Sequence, residues 1–240
     1  MDKTSVKLSA RLTMATNLLN KGNVICDVGC DHGYLPIKLL QSGSYKRAIA
    51  MDINEGPLDI ASSNISTYGL SELIETRLSD GVNALKPYEA DAISICGMGG
   101  NVMMQIFEEG REVLRSADRI VIQPQSEYMK LYNLLLLEEY EISDEDIAFE
   151  DGKYYFAWLL KYAPKTGLTG REGSPNKAPE VSFYYSKRLI ARCSELYMGY
   201  LNRTYELCNK AIESIEKNSP NNPKLETLYF EKSLLGECSR

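Results

Sequence analysis

The sequence is short of the groups that build metal and redox sites. Its 240 residues hold one histidine, His32, and six scattered cysteines, Cys26, Cys30, Cys96, Cys193, Cys208 and Cys238, none in a C-x-x-C pair. That leaves little from which to assemble a zinc site, and no metal is expected. No apolar run approaches the length needed to span a bilayer, so no membrane association is expected. The N-terminal stretch MDKTSVKLSARLTMATNLL lacks the apolar core of a secretion signal, and with unpaired cysteines this points to reduced thiols in a bacterial-type cytoplasm. The net charge of −6 argues mildly against a nucleic-acid partner.

That average conceals an asymmetry. Residues 1–160 carry 14 Lys+Arg against 24 Asp+Glu, whereas residues 161–210 carry 9 against 4. A basic region on an acidic body can meet a polyanion, although a solvated helix face gives the same pattern. Short apolar runs alternate with helical segments: strands are expected over 24–28, 47–53, 73–79, 90–96 and 118–124, with helices over 8–20, 34–43, 57–69, 101–115 and 126–138. The alternation implies an α/β fold, a doubly wound, mostly parallel sheet covered on both faces. The segments EISDEDIAFED and KYYFAWLLKYA follow without a helix between them and read as an antiparallel pair closing one edge. Residues 164–179, rich in Gly, Pro, Ser and Lys, read as a linker. Beyond it, apolar residues at helical spacing (Leu189, Cys193, Leu196, Tyr200, Leu207, Ala211), a turn over 219–223 and KLETLYFEKSLLG give an antiparallel helical hairpin. The expected domains are thus 1–163, a linker at 164–179, and a hairpin over 180–240.

The first strand runs into CDVGCDHGYLP, residues 26–36. A dinucleotide turn reads G-x-G-x-x-G around a pyrophosphate, but counting from Gly29 the third position here is Asp31 and the sixth Tyr34. A carboxylate there repels phosphate, and no Gly-Lys-Ser/Thr follows to make a P-loop. The turn suits a nucleoside cofactor without phosphates that carries positive charge. S-adenosylmethionine, with its sulfonium and ammonium, fits: Asp27 and Asp31 answer the cationic groups, while Gly29 and Gly33 allow close backbone approach. Asp52, at the end of the second strand, stands where an acidic residue holds a ribose diol. Asp80-Gly81, after the third strand, is placed for the adenine amino group. Any one of these aspartates could be a helix cap; three at successive strand ends on the binding edge favour a site. The fourth strand exits through ICGMGG, with no Asn/Asp-Pro-Pro-aromatic motif of the kind used to methylate exocyclic amines. A ring nitrogen has an in-plane lone pair and needs alignment rather than a base. The glycines could instead open a tight turn. His32 could shape the turn by hydrogen bonding, with Asp31 the better placed to steady a cationic product.

Together D-V-G-C-D-H-G-Y-L-P, the M-D-I strand end, S-D-G, I-C-G-M-G-G and Q-P resemble the TrmK family of bacterial tRNA adenine-N1 methyltransferases, which act on position 22. The resemblance covers residues 8 to about 160, beginning at L-S-A-R-L, and the helical tail also fits. It implies a class I Rossmann-like methyltransferase domain, S-adenosylmethionine as donor, tRNA as partner and a coiled-coil-like hairpin that helps hold it. Carried over by motif position, Asp27, Gly29, Asp31, His32, Gly33, Asp52, Ile53, Asp80, Gly81 and Gly97 bind the cofactor. Asp31, Gly97, Met98, Gly99, Gly100 and Gln123 face the chemistry. The tract after Gln123-Pro124 is Gln-Ser-Glu rather than asparagine-rich, so Gln125 is not carried over. RNA contacts are expected from Arg11, Lys187, Arg188, Arg192 and Arg203. Alternatives left open are a methyltransferase for a small molecule or protein, with the tail serving dimerisation, and an inactive adenosyl- or RNA-binding module.

Overall fold

The computed structural model describes residues 5–164, 186–192 and 194–238. The expected linker therefore lies outside the described residues except for its first position, as does Cys193. The chain divides into two compact units, Met1–Thr166 and Gly167–Arg240.

The first unit opens with α1 (Ala10–Leu19), whose N-terminus is capped by Ser9 Oγ accepting from Leu12 N. Then come β1 (Val24–Val28), α2 (Tyr34–Gln41), β2 (Arg47–Asp52), α3 (Glu55–Thr67), β3 (Ile74–Leu78), β4 (Ala92–Met98), α4 (Gly100–Glu109), α5 (Arg111–Ser116), β5 (Arg119–Pro124), α6 (Tyr128–Leu137), β6 (Tyr140–Glu150) and β7 (Lys153–Tyr162). The seven strands form one sheet in the order β3-β2-β1-β4-β5-β7-β6. Strands β1 to β5 pair parallel, whereas β7 runs antiparallel to both β5 and β6. The central strands are buried along most of their length, as strands covered by helices on both faces must be. Helix α1 packs on the β6–β7 side, and Ala15 and Leu19 join Ile25, Ala92, Val121 and Ala157 in one core.

Two boundaries differ from the sequence expectation for physical reasons. Helix α3 begins at Glu55, two residues before Pro57, because proline is tolerated within the first turn, where its missing N–H has no partner to lose. The single helix expected over 101–115 is two helices broken at Gly110. A Cβ at Gly110 would overlap Val82 Cγ2 and come within 2.9 Å of Ile106 O, so the two segments meet at a glycine.

In the second unit, α7 (Lys187–Arg192), α8 (Ser194–Asn218) and α9 (Lys224–Cys238) are described. Cys208 Sγ donates to Leu228 O at 3.2 Å, and Lys232 lies over the Tyr205 ring, so α8 and α9 run antiparallel. The turn expected at 219–223 joins them, with Lys224 N donating to Asn222 Oδ1.

Candidate active site

The C-terminal ends of the parallel strands share one edge of the sheet, where open α/β sheets bind ligands. Between β1 and α2 the chain passes through Gly29, Asp31 and Gly33 at φ of 72°, 50° and 71°. These are left-handed values, which glycine adopts freely and aspartate tolerates. The amides of Gly29 and Cys30 both donate to Met51 O, at 2.8 and 2.9 Å, and Gly33 N donates to Cys30 O at 2.8 Å. The turn is thus tied to the end of β2. A Cβ at Gly29 would overlap Met98 Cε, so the glycine lets Met98 of the β4 exit pack directly against the turn.

Beside this contact lies a cleft of about 250 Å³. Asp27, Gly29, Asp31, His32, Gly97 and Met98, all singled out from sequence, line it together with Arg11. Asp27 is 4% exposed, and its Oδ1 accepts from Ser94 Oγ on β4 at 2.6 Å. Burial pushes its carboxyl from the ordinary 3.8 up to about 7; the Ser94 hydrogen bond pulls the other way, and Asp52 adds a smaller upward push. Burial likewise raises the Cys26, Cys30 and Cys96 thiols, which keeps these cysteines poor nucleophiles. His32 Nε2 lies 3.6 Å from Asp31 Oδ2, and the carbonyl of His32 accepts from Asn64 Nδ2 at 2.9 Å.

The other expected residues are not in the lining of this cleft. Asp52 is buried, accepts from Asp31 N through Oδ2 at 3.4 Å and from Asn54 N through Oδ1 at 3.0 Å, and so braces the turn. Gly33 caps α2, with a Cβ there only 3.2 Å from Ala61 Cβ. Ile53 is 58% exposed beside Asp52, Asp80 is exposed, and Gly81 packs on Ile106. Gly99 caps α4 and Gly100 begins it, pressed against Ser126 O of the β5–α6 loop. Gln123 is fully buried, donates Nε2 to Pro124 O at 2.9 Å, and its Oε1 has no hydrogen-bond partner. Arg188, Arg192 and Arg203 are exposed on the second unit.

Sequence reasoning passed over Cys30, Tyr34, Cys96 and Gln125, which also line the cleft. It also missed Ser94, whose signal was only its place opposite Asp27 in the β1–β4 register. Gln125 N donates to Met98 O at 2.9 Å, which brings the β5 exit against the Gly97–Gly100 loop.

The residues fit a phosphate-free cationic nucleoside cofactor: Asp27 and Asp31 line the cleft, and among the described residues lining it Arg11 is the one Lys or Arg, which makes no cluster of cations for phosphates. Among the described residues, no group of three or more His, Cys, Asp or Glu could hold a metal ion, and no helix is long and apolar enough to cross a membrane.

The family model described as a methyltransferase domain matches residues 8–157. A protein of Bacillus subtilis described as a "tRNA (adenine(22)-N(1))-methyltransferase" is 37% identical over 150 residues, 62% of this chain. The match spans 63% of that protein, less than two thirds of its length. The crystal structure of the B. subtilis tRNA methyltransferase TrmK is 26% identical with a TM-score of 0.81, covering 98% of this chain and 100% of that one. A structure of M. capricolum TrmK with the cofactor product S-adenosyl-homocysteine is 28% identical with a TM-score of 0.77, covering 96% of each chain. A phosphate-repelling glycine turn, acidic strand ends and these likenesses agree: the chain belongs to the methyltransferase-domain family and, within it, to the TrmK family.

Proposed function

We propose that the chain transfers a methyl group from S-adenosylmethionine to N1 of adenine 22 in tRNA, in the cytoplasm. The observation that carries this reading is the cleft itself, acidic at Asp27 and Asp31 and bounded by Gly97 and Met98 at the β4 exit. The donor, when bound, supplies a methyl group on a positively charged sulfur. Asp52 holds the ribose hydroxyls, Asp80 and Gly81 receive the adenine edge, and Asp27 with Asp31 faces the cationic end. Ile53 covers the adenine face. Gly97, Met98, Gly99 and Gly100 leave room for a flat substrate ring, and no side chain there needs to remove a proton, because N1 attacks with an available lone pair. Gln123 acts from beneath, fixing Pro124 and so the loop that faces the ring. Asp31, exposed at the rim, steadies the positive charge left on the methylated base. Lys187, Arg188, Arg192 and Arg203 of the second unit supply phosphate contacts that the acidic first unit lacks.

The test is methyl transfer from labelled S-adenosylmethionine into bulk tRNA, followed by nucleoside analysis. Label in 1-methyladenosine is expected. Label in N6-methyladenosine, under conditions that prevent rearrangement, overturns the ring-nitrogen reading. Label in protein or small molecules with none in tRNA overturns the substrate.

A further inference from the structure

Among the described residues lining the cleft, Arg11 is the one permanent cation. Its placement does not depend on α1 alone. Glu150, the last residue of β6 and 139 positions away, accepts from Arg11 N through Oε2 at 3.0 Å. The same carboxylate faces Arg11 Nε through Oε1 at 3.6 Å, an ion pair too long for a hydrogen bond. The guanidinium carbon stands 5.8 Å from the centre of the Tyr155 ring on β7. Nε is buried without a hydrogen-bond partner, while about a third of the side chain remains exposed, at 34%. Arg11 is therefore oriented from two sides, and its partly exposed side chain, which carries the guanidinium's planar set of donors, lines the cleft. That set matches a carboxylate in two-point fashion.

The rest of the cleft has the wrong sign for such a group. Asp27 and Asp31 suit an ammonium and a sulfonium but repel a carboxylate, and S-adenosylmethionine carries all three within its methionine end. We propose that Arg11, positioned by Glu150, binds the carboxylate of the donor's methionine end. The inference rests on the reading that S-adenosylmethionine is the donor. It moves Arg11 from the RNA to the cofactor, because Asp31, its side chain 72% exposed at the same rim, repels a phosphate backbone at that point. Glu150 is a positioning residue: it touches Arg11, and Arg11 touches the ligand.

The test is calorimetry without tRNA, using S-adenosylmethionine and its decarboxylated analogue, against wild-type, Arg11→Ala, Arg11→Lys, Glu150→Gln and the Arg11→Ala/Glu150→Gln double variant. Arg11→Ala is expected to weaken S-adenosylmethionine at least tenfold and the decarboxylated analogue less than threefold, with Arg11→Lys in between. Glu150→Gln is expected to weaken S-adenosylmethionine severalfold, and to add nothing in the Arg11→Ala background. Equal weakening of both ligands overturns the assignment. So does an unchanged affinity of folded Arg11→Ala protein for S-adenosylmethionine, which removes Arg11 from the carboxylate. Should Arg11→Ala not fold, the Arg11→Lys comparison of the two ligands decides alone. Wild-type protein that binds neither ligand overturns the donor reading itself, which separates that failure from a failure of the carboxylate contact.

Discussion

Asp27 makes folding and cofactor binding respond to pH in opposite directions. Its carboxyl is raised from 3.8 to about 7, mainly by burial. A shift of about 3 units corresponds to about 4 kcal/mol at 1.36 kcal/mol per unit. Because the folded state holds the proton more tightly, stability from this group is intact below pH 3.8. It is lost as pH rises through the folded value near 7, then stays level. Asp27→Asn removes this component, so its unfolding free energy relative to wild type should gain up to about 4 kcal/mol between pH 4 and 7.5. A cationic ligand favours the ionised form, so affinity for S-adenosylmethionine should instead rise with pH. If the proton must leave, affinity should be about 30-fold, or about 2 kcal/mol, tighter at pH 8.5 than at pH 5.5. Ser94→Ala removes a hydrogen bond to the charged form, about 1.5–3 kcal/mol, and should move the midpoint up by about one to two pH units. Calorimetry in buffers of different ionisation enthalpy counts the released proton. The series is repeated in His32→Asn protein, since the single histidine shares the cleft. Affinity that is flat from pH 5.5 to 8.5 in both backgrounds would refute the reasoning.

Asp52→Ala should weaken S-adenosylmethionine by about 1.5–3 kcal/mol, the range for a hydrogen bond to a charged group, and unchanged affinity in folded protein would remove Asp52 from the ribose site. Gly100→Ala places a Cβ 2.5 Å from Ser126 O and 2.9 Å from Glu127 Cβ. Because the obstacle is backbone, it should cost about 1–3 kcal/mol in denaturant unfolding, and a neutral result would show that the β5–α6 loop moves freely. Removing the charges at Arg188, Arg192 and Arg203 should weaken tRNA binding and flatten its salt dependence by about 0.7–0.9 per lost phosphate contact. An unchanged slope with intact folding would leave these arginines to the hairpin's own structure.

The parallel half of the sheet was legible because most of its strands are short, mainly apolar runs, VICDV and RAIAMD among them, separated by amphipathic segments of helical length. The acidic strand ends were legible for the same reason: once the strands are placed, Asp27, Asp52 and Asp80 fall on one edge without further information. What sequence could not supply was contact across the sheet. Glu150 meets Arg11 only because β7 inserts between β5 and β6, which carries the end of β6 to the binding edge beside α1. Nothing local to either residue signals the other. Ser94 was hidden similarly, since a lone serine in a buried strand has meaning only when its register opposite Asp27 is known. The break at Gly110 depends on Val82 from a distant loop, so the helical periodicity on either side gave no warning. Gln123 shows the converse. Its motif suggests the chemistry, yet β5 is buried from Ile120 to Pro124, which puts the Gln123 side chain inside the fold, where it reaches the site only through Pro124.

The most direct measurement compares two transcripts of one tRNA, one with adenine and one with guanine at position 22, each incubated with the protein and S-adenosylmethionine and mapped for modified nucleosides. One 1-methyladenosine per molecule at position 22 of the first transcript, and no methylation of the second, is predicted. Equal methylation of both transcripts, or of neither by protein that binds the donor, would contradict the proposed function.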